Sequence, residues 1–339
     1  MAFLKYKTEL FTGIRPTADL TIANYLGAIL PIVKLQDKSK SNLVFIADLH
    51  AITDNEPKVI KQYIQNTLVD YLALGIDPQK TKIYLQSEIG KELSFFAFLL
   101  SRHVTVAELL RLPTLKEKIK QKLKKNLKNL KPENANTFLF LYPVLMAGDI
   151  LINQAKKVPV GEDQLPHLEL TRLIARRFNK KYGPLFPLPQ TLEIKKIRIL
   201  SLKGKEKMSK SLPEGAIFLN DDLKTVAQKI KSAQTAFEGE MTDNLKSCIL
   251  IAKNLAKTKK ETELIDQIIK DHLSGKKVMK EFKEILTKIV QNFLAEFQEK
   301  KQKILKEKDY LSFILTEGNK IARENALETL EAMKKVIHF

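Results

Sequence analysis

The chain of 339 residues contains no tryptophan and a single cysteine, Cys248. One cysteine excludes an intramolecular disulfide and leaves no thiolate cluster for zinc. The five histidines (His50, His103, His167, His272 and His338) are scattered, without zinc-ligand spacing. No run of about 18 uncharged apolar residues occurs, so no membrane span is expected. The opening MAFLKYKTEL lacks the apolar centre of a signal peptide, which makes the cytoplasm the expected compartment. No Ser/His/Asp set and no paired catalytic carboxylates stand out. An enzyme of this sequence is therefore expected to work by positioning and charge rather than by covalent attack. The missing tryptophan is consistent with AT-rich codon usage.

Acidic residues are also short: 39 stand against 58 Lys and Arg, a formal net charge of +19. Such an excess fits a polyanionic partner, nucleic acid first. Lysine-rich usage in an AT-rich genome produces the same excess, so charge alone leaves both readings open. The 44% apolar content suffices for a core, and the length suits one large domain or two modest ones.

Along the chain, strands and helices alternate. Glu9–Gly13 reads as a first strand and Ala23–Gln36 as its helix, kinked or split by Pro31. Leu43–Ala47 is a continuous apolar run, as in a buried parallel strand. Pro57–Leu74 is an amphipathic helix with Pro at its start and Gly75 as its stop. Lys82–Gln86 reads as a strand, Glu92–Leu100 as an apolar helix, and Phe138–Ile152 as the most apolar helix. Val158–Gly161 is a strand with a Gly turn, Gln164–Arg177 the next helix, Pro184–Pro189 irregular, and Ile197–Leu202 a last strand. The pattern predicts an α/β fold with a doubly wound, Rossmann-like parallel sheet over residues 1–220. A basic insertion near 112–136 has no apolar stripe in Lys116–Lys131 wide enough for a strong core helix. Beyond Asp221 strand signals vanish, and Lys/Glu-rich helices fill an all-α region over 221–339.

Lys207-Met208-Ser209-Lys210-Ser211 supplies two cations and two hydroxyls in a short loop, suited to closing over a polyphosphate. Far upstream, Phe11–Gly27 reads as strand, tight turn and a helix opening at Thr21-Ile22-Ala23-Asn24, and a helix start after a strand is an anion site. Together they suggest one nucleotide gripped from both sides. Tyr142, Met146 and Asp149 share a helix face, with Asp149 in an otherwise apolar run. A buried carboxylate needs a partner. Asp149 either caps a neighbouring element or accepts a hydrogen bond from a ligand in an apolar pocket. Gly161 to Gln164 lies where open α/β sheets bind ligands, and it also reads as an ordinary glycine turn. His50 stands at a carboxyl edge too, where a structural role is equally open.

The order of these stretches resembles the bacterial-type tryptophanyl-tRNA synthetases, class I aminoacyl-tRNA synthetases. Phe11-Thr-Gly-Ile-Arg-Pro-Thr17, with Thr21-Ile-Ala-Asn24, is similar to the family's first signature. Tyr142-Pro-Val-Leu-Met-Ala-Gly-Asp149 resembles its amino-acid pocket, Val158 to Gln164 followed by His167-Leu-Glu-Leu-Thr-Arg172 the segment after it, and Lys207–Ser211 the second signature. Even the tail Gly318-Asn-Lys-Ile-Ala322 is similar. The resemblance implies a ligase that joins L-tryptophan to tRNA(Trp) through tryptophanyl-adenylate, with ATP accompanied by Mg²⁺ and no protein-ligated metal. It implies catalytic roles for Thr21, Asn24, Lys207 and Lys210. It implies an ATP site of Arg15, Pro16, Thr17, Ala23, Asn24, Gly161, Glu162, Asp163, Ile199 and the loop Lys207, Met208, Ser209, Lys210, Ser211. The implied tryptophan site comprises Phe11, Gly13, His50, Tyr142, Met146, Asp149, Val158, Val160 and Gln164. Asp149 would take the indole N–H, Tyr142 and Gln164 the amino group, and Asp48 lies nearby. Lys116 or Lys118 would reach the phosphates. A homodimer through 93–110 and 138–152 and an anticodon-reading helical region are further implications.

The sequence departs from the family pattern at Arg15, Ala18, Ala23 and Gly148, where Gln, Gly, Gly and Ala are common. None removes an expected catalytic group. A tyrosyl enzyme would be expected to carry a polar Gln near Met146. An RNA-binding paralogue without catalysis would show erosion of the Thr21 or Lys207 motif, and neither is eroded. A small nucleotidyltransferase would lack the helical tail.

Overall fold

The computed structural model describes residues 8–16, 18–123, 136–161, 164–193 and 197–339. β1 (Leu10–Ile14) leads into α1 (Ile22–Asn24), a π turn (Tyr25–Ile29) and α2 (Leu30–Leu35). The run is thus split, as expected, and Pro31 stands in the first turn of α2. It has no N–H to offer Gly27, and the turn before it widens so that the Leu30 N–H reaches the Tyr25 carbonyl.

Next come β2 (Asn42–Ile46), α3 (Asp48–Ala51), α4 (Pro57–Ala73), β3 (Thr81–Leu85), α5 (Gly90–Ser101), α6 (Val106–Leu109) and α7 (Pro113–Leu123). α8 (Thr137–Ile152), β4 (Lys157–Val160), α9 (Leu165–Tyr182) and β5 (Gln190–Glu193) complete the α/β part. The five strands run parallel in the order β3-β2-β1-β4-β5. The chain winds outward from β1 to β3, then crosses back to β4, so the switch point lies between β1 and β4. Side-chain alternation divides the sheet between two cores. Val44 and Ile46 join α2, α4 and the C-terminal helices, while Leu43 and Phe45 join α5, α8 and α9.

Two sequence expectations need correction. Ile197–Leu202 is not a sheet strand. Leu200 makes one antiparallel bridge to Lys207 and gives its N–H to the Ser247 hydroxyl, while Ile199 and Leu202 bury against the C-terminal helices. The fifth strand is instead Gln190–Glu193. The basic segment also begins with a docked helix: Leu115 and Ile119 of α7, one turn apart, are buried.

Five further helices follow: α10 (Leu223–Lys231), α11 (Asp243–Leu255), α12 (Lys259–Leu273), α13 (Met279–Lys306) and α14 (Lys308–Ile337). α14 returns to the sheet and covers the open edge of β3. A Cβ on Gly318 would lie 1.8 Å from the Ile83 carbonyl oxygen, so only glycine allows this approach. Next to it, the Leu85 N–H donates to Asn319 Oδ1 at 3.0 Å, capping a strand edge that otherwise invites pairing.

Candidate active site

β1 and β4, either side of the switch point, carry Phe11, Gly13, Val158 and Val160, with Gly13 and Val160 toward the carboxyl ends. Phe11 and Phe45 stack with centroids 5.1 Å apart, and a Cβ on Gly13 would lie 2.2 Å from the Phe45 ring. Glycine is thus required for the ring to fill that space.

Asp149 sits on α8 with no exposed surface. His50, in α3 beyond β2, places Nε2 2.8 Å from Asp149 Oδ2. Gln86, just past β3, donates Nε2–H at 2.8 and 2.9 Å to the two carboxylate oxygens. The Gln86 side-chain oxygen in turn takes the His50 backbone N–H. Burial pushes the Asp149 carboxyl above its ordinary range, and the hydrogen bonds from His50 and Gln86 pull it back in part. Nearby, Asp48 accepts the Ser87 N–H at 3.0 Å, and burial raises its carboxyl too.

One and two turns before Asp149 on α8 lie Met146, half-buried, and Tyr142, buried. The Tyr142 hydroxyl is 3.3 Å from Thr114 Oγ1 of α7 and 3.2 Å from His167 Nε2 of α9. Gln164 precedes α9, its N–H donating to the Gly161 carbonyl at 2.8 Å.

The two signature stretches meet. The Ile22 N–H donates to the Ile217 carbonyl at 2.9 Å, and the Leu219 N–H to the Leu20 carbonyl at 2.8 Å. The Lys210 ammonium reaches back to the Ala18 carbonyl, across 192 positions. Met208 is buried and anchors the loop, its N–H on the Ile199 carbonyl, whereas Lys207 and Ser211 are exposed. Ser209 and Ser211 hydroxyls lie 2.9 Å apart. Burial draws the Lys210 ammonium down to about 8, against the opposing charges of Asp19 and Asp70.

The helix start is less open to an anion than its sequence implies. Thr21 and Asn24 form a reciprocal capping box, and the Ile22 N–H is already committed to Ile217. Cations, not backbone donors at this tip, dominate the charge here. Pro16 and Ala23 are buried beside it and Arg15 is half-exposed. Thr17, Glu162 and Asp163 lie outside the described residues.

Gln86, Thr114, Asp54 and Asp70 carry no motif of their own. A polar residue at the carboxyl end of a strand was the one available signal for Gln86. Among the described residues, no group of three or more His, Cys, Asp and Glu side chains is placed to hold a metal ion. Among them also, no helix is long and apolar enough to cross a membrane.

The family of class I tRNA synthetases for tryptophan and tyrosine matches residues 5–307. The tryptophan–tRNA ligase of Helicobacter pylori is 36% identical over 346 residues, covering 98% of this chain and 99% of that protein. That of Halalkalibacterium halodurans is 35% identical, covering 98% of both.

This chain belongs to the class I tryptophanyl-tRNA synthetases.

Solved structures agree. The Mycoplasma pneumoniae tryptophanyl-tRNA synthetase superposes with a TM-score of 0.83 at 32% identity, covering 98% of each chain. The Campylobacter jejuni synthetase, solved with ADP and tryptophan, gives 0.79 at 32% identity, covering 98% of this chain and 100% of that one. A tyrosyl-tRNA synthetase from Archaeoglobus fulgidus, at 19% identity and 0.65, shares the fold alone.

Proposed function

We infer that the chain is a tryptophan–tRNA ligase. It activates L-tryptophan with ATP to tryptophanyl-adenylate and pyrophosphate, then transfers tryptophan to the 3′ end of tRNA(Trp). The observation that carries this is Asp149, a carboxylate wholly buried among apolar residues and held by two side-chain donors beside the sheet's switch point. Indole Nε1–H is only a donor, so such an acceptor matches tryptophan. Phenylalanine would leave it unanswered, and sites of this kind discriminate by about 10⁴–10⁵-fold.

In the first step the tryptophan carboxylate attacks the α-phosphate of ATP, and pyrophosphate leaves with the developing charge. Lys207 and Lys210 stabilise that charge. Mg²⁺ arrives with the nucleotide as part of the substrate. Tyr142 and Gln164 hold the amino group, with His167 and Thr114 fixing the Tyr142 hydroxyl. Phe11, Gly13, Met146, Val158 and Val160 surround the ring. Pro16, Ala23, Gly161 and Ile199 line the nucleotide site. In the second step a terminal ribose hydroxyl of the tRNA takes the tryptophanyl group.

Residues 1–220 serve as the catalytic domain, and the helices from 221 on read the anticodon, helped by the basic surface. α14 has a second task, since it also covers β3. The enzyme works in the cytoplasm as a homodimer. Exposed Phe98, Val106 and Leu141, on α5, α6 and α8, support an interface there. The deciding experiment is tryptophan-dependent exchange of pyrophosphate into ATP. Exchange no greater with tryptophan than with tyrosine or buffer would overturn this function.

A further inference from the structure

Beyond the motifs, one carboxylate gathers two cations from different parts of the chain. Asp54 Oδ2 lies 2.6 Å from Arg15 Nη1 and 3.2 Å from Lys118 Nζ. Arg15 follows β1, Lys118 projects from α7, and Asp54 ends the turn that begins with α3. Lys118 also stands 5.1 Å from the centroid of the Tyr142 ring. Two cations do not converge unaided, since their repulsion drives long side chains apart. An anion between them removes that cost.

The same turn holds the other end of the site. His50 contacts Asp149 at 2.8 Å, and the Thr53 hydroxyl lies 2.8 Å from the His50 carbonyl and 3.1 Å from Asp54 Oδ2. Residues 50–54 therefore reach from the buried acid to the paired cations. Burial would raise the Asp54 carboxyl, but Lys118 and Arg15 outweigh it and hold it below the ordinary range, so it is ionised at neutral pH.

We propose that Asp54 is a positioning residue that presents Arg15 and Lys118 as a pair to the triphosphate of ATP. This rests on the nucleotide site proposed above. Asp54 touches no reacting atom. It acts on ATP through the two cations, and on tryptophan not at all. The pair is partly exposed, with side chains 36% and 42% accessible for Arg15 and Asp54, so its effect is modest.

The test is the KM for ATP in tryptophan-dependent pyrophosphate exchange. Asp54→Asn keeps the shape and removes the charge. It is expected to raise the ATP KM about two- to fivefold, the range of a partly screened pair. The tryptophan KM at saturating ATP and the thermal midpoint should stay unchanged. Asp54→Glu should restore most of the loss. An unchanged ATP KM in Asp54→Asn overturns the proposal. A lowered one also overturns it, because the carboxylate would then compete with phosphate rather than present its partners. Loss of exchange in the wild type is a separate outcome that sinks the ligase function and this proposal together.

Discussion

His50 Nε2 and Asp149 Oδ2 meet at 2.8 Å, tying the turn after β2 to the last turn of α8. Gln86 adds the end of β3 to the same carboxylate. The partners stand 99 and 63 positions from Asp149 in sequence. An unpaired ion in so apolar a helix would cost several kcal/mol, and these donors offset that cost. The acid is thus held at one fixed point by three elements.

Replacing Asp149 by Ala should cost about 1–3 kcal/mol in denaturant unfolding, because His50 and Gln86 lose their acceptor. In pyrophosphate exchange, kcat/KM for tryptophan should fall at least about tenfold, the worth of a charge-assisted hydrogen bond. The ATP KM should stay within about twofold, as for separate sites. Equal losses for both substrates would make Asp149 purely structural.

Lys210 gives a pH signature. Its ammonium in the free enzyme titrates near 8, so kcat/KM for ATP should decline as pH rises through about 8. Lys210→Arg stays charged, and its profile should lack that alkaline limb. Stability runs the opposite way. Folding lowers this pKa, so the folded state resists the proton. The resulting penalty is present below about 8 and is relieved between there and the ordinary lysine value of 10.5. Identical pH–rate curves for the two proteins would contradict this.

Gly318 and Gly148 separate backbone contact from side-chain contact. Gly318→Ala drives a methyl into the Ile83 carbonyl and should cost about 3 kcal/mol. Gly148→Ala meets Leu93 Cδ1 at 3.1 Å and Ala97 Cβ at 3.4 Å, with backbone no nearer than Ala97 Cα at 3.9 Å, and it gains helix propensity. Its net change should stay within about 1 kcal/mol. Urea midpoints of the two variants check the contrast, and equal midpoints would refute it.

Much of this layout was legible in the chain. The first four strands, the apolar helix over 138–152 and the all-helical character of 221–339 follow from period and composition. Asp149 stood out as one acid in an apolar run. Its partners did not, since nothing local relates His50 or Gln86 to α8. Residues 197–202 alternate like a strand, yet Ile199 and Leu202 bury against helices rather than in the sheet. The real fifth strand has four residues and no apolar run to announce it. In α7, lysines surround Leu115 and Ile119 and hide their burial.

Lys301 of α13 pairs with Asp70 of α4 at 2.7 Å, with both side chains nearly buried. Lys301→Met removes the nearest counter-charge of Asp70, leaving the attraction of Lys210, and should cost about 3 kcal/mol, as for a broken interior ion pair. Adding Asp70→Asn should recover part of that, with a coupling of about 1 kcal/mol or more in a double-mutant cycle. Strict additivity would show that the two charges do not sense each other.

The approach of α14 to β3 has a bearing on biosynthesis. Leu85 and Asn319 are 234 positions apart, so a ribosome releases the strand long before the helix that shields it. Until then that flank of the nascent sheet is bare and open to chaperones or to a neighbouring chain, and its closure waits on one of the most distant contacts in the molecule.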